Sequence, residues 1–471
     1  MTNHPKIGLF FLAGESWWDA GLSDAKEGPY AGFIKKIESD VTSITEELRK
    51  DFDIISSGLL HTKNSAIQEA RKYNEEDVDA IVFCPIIWTN DAPVVAFLQE
   101  AKKVPIIMWA YDPYRGFPDY FKIEEWLRAS SPVSVQQSSN IFKRYNWEYE
   151  VVFGNEKEKE TLKEVKAFIR AAVVKKSLKG TRIAVLPSPC RVVISSWFDE
   201  FFFSEKFGIE IDYIPVATYG EVVKGIKQKD AAEYVRFLKT NYPVEGVDDD
   251  TLLASAKQAL AFVKIIEEYQ LSGIALEDFN EDIYRILGFR PHLYHPRIGE
   301  LGCTIGFEAD VPGVLATIIV SRLAGQIGMF NEFFSVDRYK NTILMGHPGH
   351  GEIRVGDPST YVVTYDLEFD ASRNRGAWLS YRAKAGEMTF LNFTPEYGKL
   401  KATVFTGDSM AGPRIMEGYS HMLVKFSSDV VQLFKRIVEL GLMQHWGTVH
   451  GNIVPELNCF FKQIELELQT L

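Results

Sequence analysis

Cysteine is scarce in this chain: there are four among 471 residues, and no two form a CxxC pair. Cys84, Cys190, Cys303 and Cys459 lie far apart, each in an apolar setting. That pattern excludes a disulfide framework and a zinc knuckle, and it reads as reduced core thiols of a cytoplasmic protein. Long apolar runs are missing too. A stretch such as Val314 to Val320 is far shorter than the ~20 residues that span a bilayer. The opening MTNHPKIGLFFL has too short a basic region and no small-residue cleavage site for a signal peptide, so neither export nor membrane insertion is expected. Positive charge is in deficit. Lys and Arg number 52 against 64 Asp and Glu, for a formal charge of -12. Nucleic-acid binding needs clustered Lys and Arg, so a small neutral ligand fits better.

The common catalytic signatures are also absent. The chain has no GxGxxG, GxxxxGK[ST], GxSxG or HExxH, which removes the usual nucleotide, acyl-hydrolase and zincin patterns. No internal repeat or low-complexity tract occurs.

What is present is enough apolar residue, 46%, for two or three domains with full cores. In the first third, short apolar runs (from Lys6, Asp53, Asp79 and Val104) alternate with helical spacing over Phe33 to Lys50, Asn64 to Tyr73 and Ala92 to Lys102. This predicts a doubly wound parallel sheet over 1–175. The basic link KKSLKGTR from Lys175 precedes a fresh strand at Arg182, which marks a boundary. Strands GIEIDYIPV, SGIALEDF and CTIGFE, with a helix from Asp249 to Tyr269, predict a second α/β domain over 176–335. Beyond it, period-2 runs such as TYVVTYDLEF, EMTFLNFT and LKATVFTG predict a β-rich antiparallel domain or small barrel over 336–471, closed by helices from Asp429 and Pro455.

Four residues at the ends of apolar runs could do chemistry. Glu308 ends CTIGF, and Asp310 can cap the helix that follows, with Pro312 in its first turn. Glu308 therefore falls at the carboxyl end of a strand, where α/β sheets put their ligands. Glu332 closes GQIGMF among aromatics, where desolvation raises a carboxyl toward a pKa useful for proton transfer. His347 and His350 share the turn HPGHGE, and one of them is the ligand; His347 is favoured because it ends the strand. His445 and His450 lie in LMQHWGTVHGN, with Trp446 offering an apolar wall to a sugar ring. Here again one histidine ligates and the other orients. Two carboxylates with two imidazoles suit a divalent ion such as Mn²⁺.

These residues resemble the L-fucose and L-arabinose isomerase superfamily. Glu308 within GFEADVPG and Glu332 within FNEFF are similar to the family's acidic metal ligands. His347, in HPGHG with Asp357-Pro358 following, is similar to the first histidine of the arabinose type, and His445 in HWGTVHGN to the terminal ligand of both types. VDAIVFCPIIWTNDAPVVAFLQEAKKVPIIMWA resembles the N-terminal domain and GIALEDF the central one. Two departures stand out. Pro348-Gly349-His350-Gly351 replaces the arabinose-type Met-Leu-Glu-Val stretch, and Glu332 stands where fucose-type enzymes use Asp. The resemblance implies a metal-dependent aldose–ketose isomerase, with Glu308 and Glu332 moving the proton and an enediol between the two sugars. An epimerase, an isomerase of a modified sugar, or a sugar-binding homologue without turnover are the alternatives. It also implies a homo-oligomer, a trimer or hexamer, in which a neighbour's N-terminal domain supplies substrate contacts. Trp17, Trp18 and Trp88 are candidates for those contacts, joined by His350, Trp446 and His450.

Overall fold

Strand Ala80–Pro85 reads AIVFCP and every residue of it is buried, the near-continuous apolar run that a parallel sheet covered on both faces requires. It sits in a parallel sheet ordered Asp53–Ile55, Lys6–Leu12, Ala80–Pro85, Ile106–Tyr111, Tyr149–Gly154, with Leu59–Leu60 also pairing to Lys6–Leu12. In the computed structural model, residues 5–22, 25–117, 119–349, 351–368, 374–396 and 398–471 are described. They divide into two compact units, Met1–Lys176 and Ser177–Leu471.

In the first unit, helix Phe33–Arg49 buries Phe33, Ile37, Val41, Ile44 and Leu48, an i, i+4 stripe. Helix Lys63–Glu76 starts at a capping box between Thr62 and Ser65. Strand Tyr149–Gly154 holds only a short apolar run, Val151-Val152-Phe153, and Val151 and Phe153 are exposed. The chain leaves Lys6–Leu12 toward one side of the sheet and Ala80–Pro85 toward the other. The carboxyl ends of these two strands therefore frame the crevice where such sheets take ligands.

The second unit holds a parallel sheet ordered Thr304–Phe307, Leu271–Leu276, Arg182–Leu186, Glu210–Tyr213. Helix Asp249–Tyr269, capped by Asp248 on the Thr251 amide, matches its expected span. The β-rich remainder is a closed barrel. Gly386–Glu396, Trp446–His450, Met329–Asp337, Thr342–His347, Ser420–Lys425 and Lys399–Ser409 pair antiparallel in that order, and the last pairs with the first. Leu468–Thr470 adds a parallel strand outside the ring, and Val362–Tyr365 pairs with Ala377–Ser380 in a separate two-stranded sheet. Met345, Met388, Phe390, Phe405, Met422 and Trp446 belong to the barrel's apolar cluster. Strand Met329–Asp337 carries Glu332, so that residue stands on a barrel strand that crosses residue 335.

One glycine fixes how barrel and α/β layer meet. A Cβ on Gly447 would lie 2.4 Å from the Thr317 amide nitrogen and 2.6 Å from the Ala316 carbonyl carbon. Only a residue without a side chain lets strand Trp446–His450 press this closely on helix Val311–Ala324. Cys84, Cys190 and Cys303 are buried free thiols. Among the described residues no helix is long and apolar enough to cross a membrane.

Candidate metal centre

Three of the four sequence-derived ligands converge. Ligand atoms of Glu308, His347 and His445 all lie within 4.8 Å of one another, and all three residues are buried. Glu308 leaves the carboxyl end of strand Thr304–Phe307; His347 ends strand Thr342–His347; His445 immediately precedes strand Trp446–His450. Barrel register explains the fourth position. Glu332 pairs with Gly346 on one side, and Asn331 with Trp446 on the other. The backbone of Glu332 thus runs between the segments that carry the two histidines.

Glu308 and Ala309 both have left-handed backbones, with φ of 55° and 51°. Neither is glycine, and such geometry costs roughly 1–2 kcal/mol per residue. Asp310 then caps helix Val311–Ala324, its Oδ1 accepting from the Gly313 amide at 3.0 Å. Ser196 donates its hydroxyl to the Glu308 carbonyl at 3.1 Å. These ties hold the strained turn and aim the Glu308 carboxylate inward, where Gln444 Nε2 donates to its Oε2 at 2.9 Å.

Both imidazoles are oriented with Nε2 toward the centre. His347 Nδ1–H donates to the Pro348 carbonyl at 2.8 Å, and His445 Nδ1–H to Asp310 Oδ2 at 2.8 Å. The opposite nitrogens, His347 Nε2 and His445 Nε2, are buried without hydrogen-bond partners among the described residues. An orphaned buried lone pair is costly, and two that converge on a carboxylate fit a cation between them. His445 Nε2 lies 3.4 Å from Glu308 Oε2. Aromatic rings seat both imidazoles: Phe307 stacks on His347 at 4.6 Å, and Phe330 lies 4.5 Å from His445.

Electrostatics sort the groups. Burial pushes Glu308 up from 4.5 to about 7, with His445 opposing and Glu332 adding to the rise. Burial likewise raises Glu332, partly offset by His445. His347 falls to about 3, through burial first and then the charge of His445. For His445 burial also disfavours the cation, but Asp310, Glu308 and Glu332 outweigh it, and its pKa lies above the ordinary 6.5. A cation must therefore displace protons from Glu308 and His445, but not from His347. We expect metal affinity to fall as pH drops through about 7, with protons released on binding. Titration calorimetry in buffers of different ionisation enthalpy reads that release directly, and binding without proton release at pH 6.5 would contradict these assignments.

Sequence reasoning read Asp310 only as a helix cap. Its second oxygen on His445 gives it a further task, because a carboxylate on the far nitrogen sets the tautomer and direction of a ligating imidazole. Asp310→Ala should weaken Mn²⁺ binding ~10–100-fold, and Asp310→Asn, which keeps the cap, by less. Competition against a fluorescent chelator measures both, and wild-type affinity in the alanine variant would remove Asp310 from the centre.

Not every sequence candidate joins the cluster. His350 lies outside the described residues. His450, at the far end of its strand, has Nε2 3.1 Å from the Lys384 carbonyl oxygen. Trp446 is 1% exposed and stacks on Phe333 at 5.8 Å with Phe405 at 4.6 Å, so its ring fills the barrel core. In the first unit, Trp17 and Trp88 meet edge to face at 6.5 Å across the crevice, and Trp18 stacks on His61 at 4.7 Å. The sequence reading also missed a buried charge array beside the centre. Arg290 pairs with Asp278 at 3.1 Å and Asp366 at 2.7 Å, and His292 lies 3.4 Å from Asp278.

Fold and centre together define an α/β protein with a barrel, carrying a buried carboxylate–imidazole cluster that could hold a metal ion. No protein-family model matches the chain. It is similar to sulfoquinovose isomerases of Priestia aryabhattai and Priestia megaterium, 22% identical to each over 395 residues, or 83% of this chain and 85% of the relative. The likeness is thus to sugar isomerases, without singling out the L-fucose and L-arabinose group.

Proposed function

We propose that the protein is a metal-dependent intramolecular oxidoreductase that interconverts an aldose and a ketose through an enediol. The observation that carries this is the convergence of Glu308, His347 and His445 with two unpartnered Nε2 atoms, in a chain similar over most of its length to sugar isomerases. Glu308, Glu332, His347 and His445 would hold a divalent cation, Mn²⁺ by the mixed oxygen and nitrogen donor set, which would polarise the sugar carbonyl and stabilise the enediolate.

The proton chemistry falls to the carboxylates. One of Glu308 and Glu332 takes the proton from the carbon bearing the hydroxyl, and it is returned to the neighbouring carbon. The second carboxyl shuttles the hydroxyl proton, so aldose and ketose differ only in where two hydrogens sit. A Glu308 pKa about 7 suits a group that must both accept and give a proton near neutrality. Aromatic seating around the histidines keeps water from the exchanging proton.

The same reading takes 1–175, 176–335 and 336–471 as three domains and the protein as a cytoplasmic homo-oligomer, trimer or hexamer. Trp17, Trp18 and Trp88, with His350 and His450, are substrate contacts within it. The relatives' name favours a modified sugar as substrate. Incubation of the Mn²⁺-loaded protein in D₂O with a panel of aldoses, ketoses and sulfoquinovose, followed by NMR, tests the proposal. An isomerase forms the second sugar with deuterium at C2 or C1. An epimerase inverts a centre without moving the carbonyl. Binding with neither change leaves a sugar-binding homologue and sinks the isomerase.

A further inference from the structure

The centre has one wall that the proton chemistry does not use. Arg290 is 1% exposed, yet three carboxylates converge on it: Asp278 at 3.1 Å, Asp366 at 2.7 Å and Glu368 at 2.6 Å. Asp278 and Asp366 are shut in, with side chains 2% and 7% exposed, whereas Glu368 is 26% exposed. A buried guanidinium held by three acids is a poor device for stability, because desolvation offsets most of the attraction. It is a good device for fixing one carboxylate at an opening.

Glu368 meets Arg290 through Oε2 at 2.6 Å, and the array reaches Trp378 through His292, which lies 3.4 Å from Asp278 and stacks on the Trp378 ring at 5.7 Å. The charge of Glu368 also acts on Glu332, which in turn acts on Glu308. It acts as well on the Tyr419 hydroxyl, which burial first and then Glu368, Asp366 and Glu332 push up to about 12. Tyr419 is half-buried and rests edge-on against Phe334 at 5.6 Å and beside Trp378 at 5.3 Å. Trp378 is 1% exposed, and its indole N–H has no hydrogen-bond partner among the described residues. A fixed acceptor, a hydroxyl that can donate and accept, and an aromatic floor with a spare donor are the parts that recognise a polyhydroxylated chain.

We propose that Glu368 and Tyr419, over Trp378, form the subsite that grips the hydroxyl groups of the sugar remote from the isomerised carbons, with Arg290 as the residue that positions Glu368. The proposal rests on the isomerase reading for its substrate class and goes beyond it in assigning the remote contacts.

Hexitols supply the probe, because they carry the hydroxyl chain without a reactive carbonyl. Titration calorimetry of D-glucitol, D-mannitol and galactitol into the Mn²⁺-loaded protein should give at least one measurable Kd. Glu368→Gln and Tyr419→Phe should each raise that Kd tenfold or more, since a hydrogen bond to a charged acceptor is at stake, with manganese per chain unchanged. In turnover, Glu368→Gln and Arg290→Lys should lower kcat/KM for a six-carbon aldose at least tenfold more than for glyceraldehyde, which has no remote hydroxyls; a loss shared by both substrates reports the charge of Glu368 on Glu332. Unchanged hexitol affinity, or equal losses on both substrates, would overturn the subsite. Aldose turnover indifferent to Glu368 would fail the subsite and leave the isomerase standing. Glu368-dependent hexitol binding without turnover of any sugar would do the reverse.

Discussion

Glu308→Gln should abolish turnover, by ~10²-fold or more, while leaving the fold intact. The substitution is nearly isosteric, and the left-handed turn that holds residue 308 is fixed by backbone ties from Ser196 and Asp310 that a glutamine does not disturb. What changes is the direction of hydrogen bonding. Gln444 Nε2 donates to Glu308 Oε2, the same oxygen that lies 3.4 Å from His445 Nε2, so the new amide keeps its oxygen there and places its NH₂ at the other position. The amide carries no negative charge to attract a cation, and the exchangeable acid is gone. Glu332→Gln should show a loss of the same order, since that half-buried carboxyl feels the charge of the same histidine. Steady-state kinetics on the active sugar, with circular dichroism to confirm folding, provides the measure. Near-normal kcat in either variant would mean that the residue is not one of the proton-moving pair.

The second large effect concerns the cation rather than the proton. His347→Ala and His445→Ala should each lower Mn²⁺ affinity by ~100-fold or more, because losing a ligand exceeds the 10–100-fold typical of losing a residue that only supports one. His450→Ala should leave metal content unchanged, as its ring nitrogen is engaged by the Lys384 carbonyl away from the cluster. His350→Ala should alter rate or KM more than occupancy. Metal per chain after identical dialysis of all four variants decides. Equal loss in all four would point to a larger coordination set, and loss confined to His350 and His450 would reverse the assignment.

How far the sequence revealed these things depended on whether the signal was local. Strand Lys6–Leu12 and helix Asp249–Tyr269 were legible because their apolar spacing is fixed within the segment itself. Glu308 was legible because the Asp310 cap and Pro312 mark a strand-to-helix turn in five consecutive residues. Strand Tyr149–Gly154 was not, since its apolar run is only the three residues Val151-Val152-Phe153. The period-2 runs left an antiparallel sheet and a small barrel both open, and the choice between them depends on Lys399–Ser409 meeting both Gly386–Glu396 and Ser420–Lys425. Trp446 misled for a related reason: a tryptophan next to a ligand histidine looks like a sugar platform, but adjacent residues on a strand point to opposite faces, and the ring fills the core. Arg290, Glu368 and Tyr419 come together from well-separated segments, so no motif could announce them.

The closed barrel has a consequence for how the centre comes apart. A ring of strands has no edge at which unzipping can start, so it opens only as a whole, whereas an open parallel sheet frays from its outer strands. His347 and His445 ride on the ring, while Glu308 hangs from the outermost strand of the open sheet, Thr304–Phe307. Fraying of that strand would carry Glu308 away from the two imidazoles, and a cation held by all three would act as a rivet that damps it.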